Sequence, residues 1–378
     1  MYCAGVPIEF DVAVLGSGVA GSAAAISAAG RGANVCLISG QPGTTAMFSG
    51  AWRGPCPDVL RNELALSGYE LHACYQPLPH PTGALITGDY AQASHDAAQL
   101  VDGALVIGIA GLPGFDASPL AQRWSARNGL DLHAQTVTLD NTPPAGWAPA
   151  SLAALIERSP EIIIRPLVTA LRQQGATRAI VPAVLGVLAY AHERVSEAVG
   201  GLIGEALGVP PSLPGWRVYQ ALRRTVARAG VTVFEGRGVA SEPANARIGT
   251  IQLSNGDVIN ARSYILATGK YAAGGIEANA TLREPAFGCP VWIDHLGERF
   301  VVADALILTD PMRTEDQPLL RAGVHVDAAQ RPVAATGEVV YSNVLVAGSI
   351  RADWSITTHG IGDAAADGWA AGIRAVTA

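Results

Sequence analysis

The stretch DVAVLGSGVAG, residues 11–21, decides the fold of this chain, together with the alanine-rich run that follows it. Residues 12–15 are apolar, as in a buried parallel strand. Gly16 permits a tight turn, Gly18 lets a pyrophosphate approach the backbone, and Gly21 lets the following helix lie close to the strand. The start of that helix offers N–H groups and a positive dipole end to phosphates. With a second predicted strand at Asn34–Ile38, the pattern indicates a dinucleotide or flavin-nucleotide site.

The second strand lacks the acidic residue that usually binds the adenosine ribose. Ser39 and Gln41 stand at its end instead. The departure concerns the ribose and leaves the phosphate prediction unchanged.

The loop that follows, GQPGTTAMFSGAW at 40–52, collects small and hydroxyl-bearing residues. Loops at the carboxyl ends of parallel strands hold the ligand in nucleotide-binding sheets. We therefore predict cofactor contacts from Thr44, Thr45, Ser49 and Gly50, with an ordinary polar loop as the alternative.

The chain returns to the same sheet after residue 230. Val231–Glu235 is a predicted parallel strand, and Ser254-Asn255-Gly256 predicts a hairpin. A strand at Arg262–Ala267 ends in ATG, and a late strand runs into Gly348-Ser349 before a C-terminal helix. This order is typical of the two-dinucleotide-binding flavoproteins, so the predicted fold is α/β and Rossmann-type, with a parallel sheet and an inserted α/β domain.

Residues 1–52 and 230–378 are predicted to form the FAD-binding domain, including the C-terminal return strand and helix. Residues 53–229 are predicted to form an inserted α/β domain for substrate or partner. Inside it, 103–114 is a second strand followed by a glycine-rich turn. Its glycine spacing differs from the fingerprint, so we interpret it as a scaffold turn, with a second nucleotide site as the alternative. A helix is expected over Gly200–Leu207.

All predicted cofactor contacts lie where a strand ends or a helix begins. They are Gly16, Ser17, Gly18, Ala20, Gly21, Ser39, Thr44, Thr45, Ser49, Gly50, Ala267, Thr268, Gly269, Gly348, Ser349, Gly360 and Ile361.

Composition excludes several functions. A net charge of −7 without a basic block argues against nucleic acid as a partner. The five cysteines are scattered without a CxxC pair, so no disulfide framework, metal site or iron–sulfur site is predicted. The longest apolar run, Ala179–Ala191, is shorter than the roughly twenty residues of a membrane span. The first ten residues lack the features of a signal peptide.

The chain resembles the B subunit of the anaerobic glycerol-3-phosphate dehydrogenase family, a flavoprotein. The matching stretches follow in order over nearly the whole chain. They are VLGSGVAGSAAA (14–25), MFSGAW (47–52), VIGIAGLPGFDA (106–117), ATGKYAAGGI (267–276), LREPAFG (282–288), RPVAATGEVVYSNVLVAGSIRADW (331–354) and HGIGDAAADG (359–368). The stretch at 106–117 is the most specific, because generic flavoproteins do not share it.

The resemblance implies a flavin-dependent dehydrogenase subunit that takes electrons from glycerol 3-phosphate, giving dihydroxyacetone phosphate. The predicted pyrophosphate cradle favours FAD as the flavin, with FMN as the alternative because the acid is missing at Ser39. The resemblance also implies a hetero-oligomer with a second flavoprotein subunit and an iron–sulfur subunit that passes electrons to quinone. The expected location is cytoplasmic, at most peripheral on the inner face of the cell membrane, with membrane contact only through a partner.

Oxidation of a hydroxyl-bearing carbon requires a base for the proton and, here, a cation for the phosphate. His359 is the candidate base, and Arg283 and Arg351 are the candidate phosphate ligands. A structural histidine at the helix start and a local Arg283–Glu284 ion pair are the alternatives. At the level of the whole chain, the alternatives are an electron-transfer subunit without substrate chemistry and a stand-alone oxidoreductase of the fumarate-reductase-like or ketosteroid-dehydrogenase-like class.

Overall fold

The computed structural model describes residues 7–40, 42–140, 142–188, 190–240, 243–278, 281–295, 298–301, 309, 317–352, 354–355 and 358–377. The helices in these residues are α1 (Val19–Ala29), α2 (Asp58–Leu66), α3 (Ala93–Asp96), α4 (Ala117–Asn128), α5 (Pro149–Arg158), α6 (Glu161–Gln174), α7 (Tyr190–Val199), α8 (Leu213–Arg228), α9 (Pro318–Arg321) and α10 (Ile361–Thr377). The strands are β1 (Ile8–Leu15), β2 (Val35–Ser39), β3 (His72–Ala73), β4 (Leu78–Pro79), β5 (Leu85–Ile86), β6 (Tyr90–Ala91), β7 (Leu105–Ile109), β8 (His133–Val137), β9 (Arg178–Val181), β10 (Leu202–Glu205), β11 (Thr232–Glu235), β12 (Gly238–Ala240), β13 (Thr250–Leu253), β14 (Val258–Leu266), β15 (Glu277–Ala278), β16 (Leu282–Arg283), β17 (Val291–His295), β18 (Glu298–Val301), β19 (Gly323–Val324) and β20 (Val344–Val346).

The chain divides into two compact units. The first unit comprises residues 1–45, 54–63 and 222–378, and the second comprises 46–53 and 64–221. The sequence predicted boundaries after residues 52 and 229. The two divisions differ at residues 46–52, 54–63 and 222–229.

The first unit is built on one sheet with the order β11-β2-β1-β14-β13-β12, and β20 also pairs with β14. Four pairs of neighbouring strands are parallel: β11 with β2, β2 with β1, β1 with β14, and β14 with β20. β13 is antiparallel to both of its neighbours, β12 and β14. The predicted parallel addition of Val231–Glu235 is confirmed as β11 beside β2.

β14 is a nine-residue strand that begins four residues before the strand predicted at Arg262–Ala267. Nearly all of it pairs with β1, from Ile259 opposite Ile8 to Leu266 opposite Leu15. The hairpin partner β13 covers only its first residues. The pairing with β1 therefore extends the strand beyond its predicted start at Arg262.

Helices α1 and α10 pack closely because their facing positions are small. A Cβ added at Gly368 would lie 2.0 Å from the carbonyl oxygen of Ala20, and one added at Gly372 would lie 2.3 Å from that of Ala24. The α1 backbone is thus in direct contact with α10. Every residue of α1 except Ala29 is buried.

Replacing Gly368 by alanine should destabilise the protein. Intrinsic helix propensity favours alanine by about 1 kcal/mol, but the new Cβ would overlap a backbone carbonyl that cannot move alone. We expect a net loss of about 1–3 kcal/mol in the free energy of unfolding, measured by denaturant titration. Ala370→Val, at a half-buried position of the same helix, should have a smaller effect; an equal or larger effect would contradict this packing.

The second unit contains a separate parallel sheet with the order β10-β9-β7-β8. The predicted helix at Gly200–Leu207 is wrong, because Leu202–Glu205 is strand β10, paired with β9. Leucine, glutamate and alanine favour a helix locally. Pairing with a buried neighbouring strand outweighs that preference.

A buried polar cluster stands at the end of β10. The Glu205 carboxylate pairs with the Arg217 guanidinium at 2.6 and 3.0 Å and accepts the Leu185 N–H. Arg217 also donates twice to the Gly186 carbonyl. Burial alone would raise the pKa of Glu205, but the adjacent guanidinium outweighs it and lowers the pKa to about 2. The pair is therefore ionised at neutral pH.

Arg217→Met should cost about 3–5 kcal/mol of stability at neutral pH, because it leaves a buried carboxylate unpaired. In the variant, burial raises the pKa of Glu205 above 4.5, so the penalty should shrink as the pH falls toward 4.5. Thermal unfolding at several pH values measures both effects. Arg217→Met combined with Glu205→Gln should recover part of the loss. A penalty that does not depend on pH would argue against a charged Glu205.

Candidate functional site

The fingerprint turn is held by glycines at two positions. Gly16 has φ +107°, and a Cβ there would lie 2.3 Å from the Ala267 carbonyl oxygen. A Cβ at Gly21 would lie 1.7 Å from the Gly16 carbonyl oxygen. The turn thus touches both the helix that follows and the ATG segment, as the sequence pattern predicts.

Gly18 differs from these two because the space beside it is open. A Cβ there would meet only the Thr45 hydroxyl, at 3.3 Å. The same hydroxyl accepts the Val19 N–H at 3.1 Å. Gly18 is the N-cap residue of α1 and has no side chain of its own to cap the helix. This cradle fits a cofactor diphosphate, since backbone donors and a helix N-terminus surround space that a side chain at position 18 would fill.

The ribose position holds two buried serines. The hydroxyls of Ser17 and Ser39 lie 2.9 Å apart and hydrogen-bond to each other. Ser39 is 4% exposed, so its hydroxyl is engaged within the protein. Gln41 lies outside the described residues.

The ATG segment lies next to the fingerprint turn. The Ala267 N–H donates to the Leu15 carbonyl at 2.8 Å. The Thr268 hydroxyl is buried and has no hydrogen-bond partner among the described residues. A Cβ at Gly269 would lie 3.7 Å from the Ser349 hydroxyl. The structure thus brings the ATG and Gly348-Ser349 segments together, and Thr268 offers an unpaired polar atom to a cofactor.

Asp367 of α10 fixes the Gly348 turn, a role that no sequence pattern indicated. Its carboxylate accepts the Gly348 N–H at 2.7 Å and a bond from the Gln330 amide at 2.7 Å. It also forms an ion pair with Arg351. The guanidinium of Arg351 is therefore engaged with a carboxylate at the end of this strand.

The start of α10 is capped by its own carboxylate. The Gly360 N–H donates to Asp363 at 2.7 Å. A Cβ at Gly54 would lie 2.7 Å from both the Asp363 N and its carboxylate. Ile361, the first residue of the helix, is half-buried.

His359 stacks on Trp354, with ring centroids 4.6 Å apart and 25° between the planes. Its Nδ1 accepts the Ser355 N–H at 3.3 Å, and it also lies 2.9 Å from the Thr358 hydroxyl and 3.3 Å from the Ser355 carbonyl. Lys270, which follows ATG, donates to the Trp354 carbonyl at 3.2 Å and to the Leu320 carbonyl at 2.5 Å. Lysine after the ATG triplet is a residue that sequence reasoning passed over.

Arg283 is exposed on the small β15–β16 hairpin, where it pairs in register with Glu277. Its neighbour Glu284 is fully buried, and its carboxylate accepts N–H bonds at 2.7, 2.9 and 3.1 Å from three backbone groups. Burial raises the pKa of Glu284 despite these bonds. In the part of the chain that the structure describes, Arg283 and Glu284 form no ion pair.

Ser49 and Gly50 belong to the second unit and are fixed there. The Ser49 carbonyl accepts the Gly208 N–H at 2.7 Å. Gly50 has φ +118°, and a Cβ there would lie 2.6 Å from the Nε2 of His95. Their contact with a cofactor stays a prediction.

The second glycine-rich turn lines a cleft of about 480 Å³. Gly111, Gly114, Phe115 and Asp116 lie along it. Asp116 is the N-cap of α4 and makes no capping bond. Arg123 lines the same cleft, so a carboxylate and a cation both face it, and the scaffold interpretation of the turn stays a prediction.

A family model described as FAD dependent oxidoreductase matches residues 11–319. The chain belongs to this family. FAD is therefore its cofactor, and the predictions of an α/β flavoprotein fold and a flavin-dependent oxidoreductase are confirmed.

Curated relatives agree with the resemblance found in the sequence. The B subunit of a probable anaerobic glycerol-3-phosphate dehydrogenase from Halobacterium salinarum is 27% identical, covering 98% of this chain and 99% of the relative. The B subunit of the anaerobic glycerol-3-phosphate dehydrogenase from Yersinia enterocolitica is 27% identical, covering 68% of this chain and 60% of the relative.

Solved structures similar to this chain include a 3-ketosteroid-Δ4-(5α)-dehydrogenase of Rhodococcus jostii (14% identity, TM-score 0.40, 97% of each chain). Another is the open conformation of a flavocytochrome c3 fumarate reductase (13% identity, TM-score 0.41, 99% of this chain and 79% of the other). In the described residues of this FAD dependent oxidoreductase, no helix is both long and apolar enough to cross a membrane.

Gly18→Val should abolish FAD retention while leaving the fold intact. The valine side chain enters the open space of the cradle and meets only one flexible hydroxyl of the protein. We expect purified Gly18→Val to lack flavin absorbance and to melt close to the wild-type apoprotein. Gly16→Val, whose Cβ would overlap a backbone carbonyl, should lose both flavin and stability. Normal flavin content in Gly18→Val would contradict this assignment of the cradle.

Proposed function

We propose that the chain is the flavin-dependent subunit of a glycerol-3-phosphate dehydrogenase, which oxidises glycerol 3-phosphate to dihydroxyacetone phosphate. The observation that carries this proposal is the match over 98% of the chain to a relative named for that activity. The intact FAD cradle supports it, because this chain keeps the part of the site that a hydride acceptor needs.

The proposed chemistry divides between the cofactor and three side chains. FAD, when bound, accepts the hydride from the alcohol carbon. His359 receives the hydroxyl proton. Its Nδ1 is within reach of the Ser355 N–H as well as of two oxygens, so Nε2 carries the free electron pair of a base only in the tautomer whose Nδ1–H donates to the Ser355 carbonyl or the Thr358 hydroxyl. Arg283, whose guanidinium is exposed, is proposed to bind the phosphate.

Arg351 has a different part in this proposal. Its charge is compensated by Asp367, which also holds the Gly348 N–H. We therefore assign Arg351 to the support of that turn, next to the proposed site, and leave phosphate binding to Arg283.

The onward path of the electrons is proposed to lie on other chains. Four cysteines fall within the described residues, Cys36, Cys56, Cys74 and Cys289, and each is buried. Burial raises the pKa of the Cys36 and Cys56 thiols to about 12, which disfavours the thiolates that bind iron–sulfur clusters. An iron–sulfur subunit and a second flavoprotein subunit would complete the path to quinone, with the assembly on the cytoplasmic face of the membrane.

The FAD-loaded protein should reduce an artificial acceptor dye with glycerol 3-phosphate and not with glycerol. His359→Gln should lower kcat about 10²–10⁴-fold, the usual contribution of a general base, with little change in FAD content. His133→Gln, an exposed histidine of the second unit, is the control. Full activity in His359→Gln would remove that residue from the mechanism.

Gentle extraction from the native source, followed by identification of co-purifying chains, tests the partners. An iron-containing partner is the expected result. FAD binding and co-purification without dehydrogenase activity would support the electron-transfer alternative. An active monomer without iron would support a stand-alone oxidoreductase.

A further inference from the structure

We propose that Arg237 recognises the adenosine half of FAD, at the place where related nucleotide sites use a carboxylate at the end of the second strand. The cofactor follows from the family, and this role of Arg237 does not depend on which substrate the enzyme oxidises. All the residues involved belong to the first unit.

The usual ribose acceptor is missing from this site. A carboxylate after the second strand normally accepts a hydrogen bond from the ribose 2′-hydroxyl. Here Ser39 ends β2, and its hydroxyl is buried in a 2.9 Å bond with Ser17. The adenosine therefore has no carboxylate partner at the end of β2.

Arg237 stands on that edge because β11 lies beside β2. Glu235 is in register with Ser39, and the Gly236 N–H donates to the Ser39 carbonyl at 2.8 Å. Arg237 comes next in the chain. Its backbone is fixed by Ser254, whose N–H donates to the Arg237 carbonyl at 2.9 Å and whose hydroxyl accepts the Arg237 N–H at 3.3 Å.

A glycine, Gly274, lies beside the guanidinium. Its Nη2, Cζ and Nη1 lie 2.9, 3.3 and 3.4 Å from the point where a Cβ of Gly274 would stand. A Cβ of Gly43 would lie 2.9 Å from that of Ala273. The loop after β2 thus contacts the turn after the ATG segment, and the same turn contacts Arg237.

The charge of Arg237 is available to a ligand. Among the described residues, no carboxylate forms an ion pair with it. The acid nearest in the chain, Glu235, pairs instead with Arg223 at 3.6 Å. A guanidinium can donate to the ribose oxygens and stack on the adenine face, so it can replace the contact that a carboxylate makes.

The test measures cofactor affinity, not turnover. FAD is titrated into apoprotein and followed by quenching of flavin fluorescence. Arg237→Ala should weaken FAD binding about tenfold or more, the usual effect of losing a charge-assisted hydrogen bond, and Arg237→Lys should lose less. Arg223→Ala removes the same charge near the same edge and should leave the Kd within about twofold. Unfolding curves of the apoproteins check that each variant folds.

Competition with nucleotides locates the contact. Wild-type apoprotein should prefer ADP to 2′-deoxy-ADP as a competitor for FAD, and Arg237→Ala should lose that preference. Unchanged FAD affinity in Arg237→Ala would overturn the proposal. If Arg237→Ala weakened the binding of inorganic pyrophosphate as much as that of FAD, the arginine would be a phosphate ligand, and the proposal would be overturned. A larger loss of FAD affinity in Glu235→Gln than in Arg237→Ala would overturn the proposal too, because the Glu235 carboxylate would then be the ribose ligand.

Discussion

The first unit depends on how closely the α1 backbone approaches its neighbours on both sides. On one side, the start of the helix meets the Gly16 carbonyl, where Gly21 leaves no room for a Cβ. On the other, Gly368 and Gly372 of α10 bring a second helix against the carbonyls of Ala20 and Ala24. Because interiors are close-packed, one added methyl group on either side displaces α1. The N-terminus of α1 forms the phosphate cradle, so cofactor binding depends on this packing of α1.

The C-terminal part of the chain reaches the same helix through polar contacts. Gly348 has φ +75°, and a Cβ there would lie 2.6 Å from that of Ala20. Asp367 fixes this turn by accepting its N–H and pairing with Arg351. A largely buried carboxylate needs such partners, because an uncompensated charge is costly away from water. α10 thus contributes twice to the cofactor unit, through glycines that allow contact with α1 and through a carboxylate that orders the last strand.

Sequence reasoning succeeded where a local rule fixes the backbone. The fingerprint predicted β1, α1 and β2, and Asn-Gly at 255–256 predicted the hairpin before β14. It failed where the structure depends on contacts between residues that are far apart in the chain. Leu202–Glu205 reads as helix in isolation and becomes a strand only beside β9. The pairing of Arg351 with Asp367 and the stacking of His359 on Trp354 depend on how the last segments fold back. The roles of individual charged residues were therefore less predictable than the phosphate cradle.

The Glu205–Arg217 pair shows why a sequence pattern does not predict the contacts of individual charged residues. Both side chains are fully buried, at 0% and 1% exposed, although glutamate and arginine normally mark a surface. Removing two charges from water costs about what their attraction returns, so the pair is a weak source of stability. Its geometry is more informative than its energy. Glu205 accepts the Leu185 N–H, and Arg217 donates to the Gly186 carbonyl. The pair therefore satisfies the irregular backbone after β9 and joins it to the end of β10 and to α8. An apolar pair of equal volume would leave those backbone groups unpaired, so this part of the fold retains the charges for the hydrogen bonds they complete.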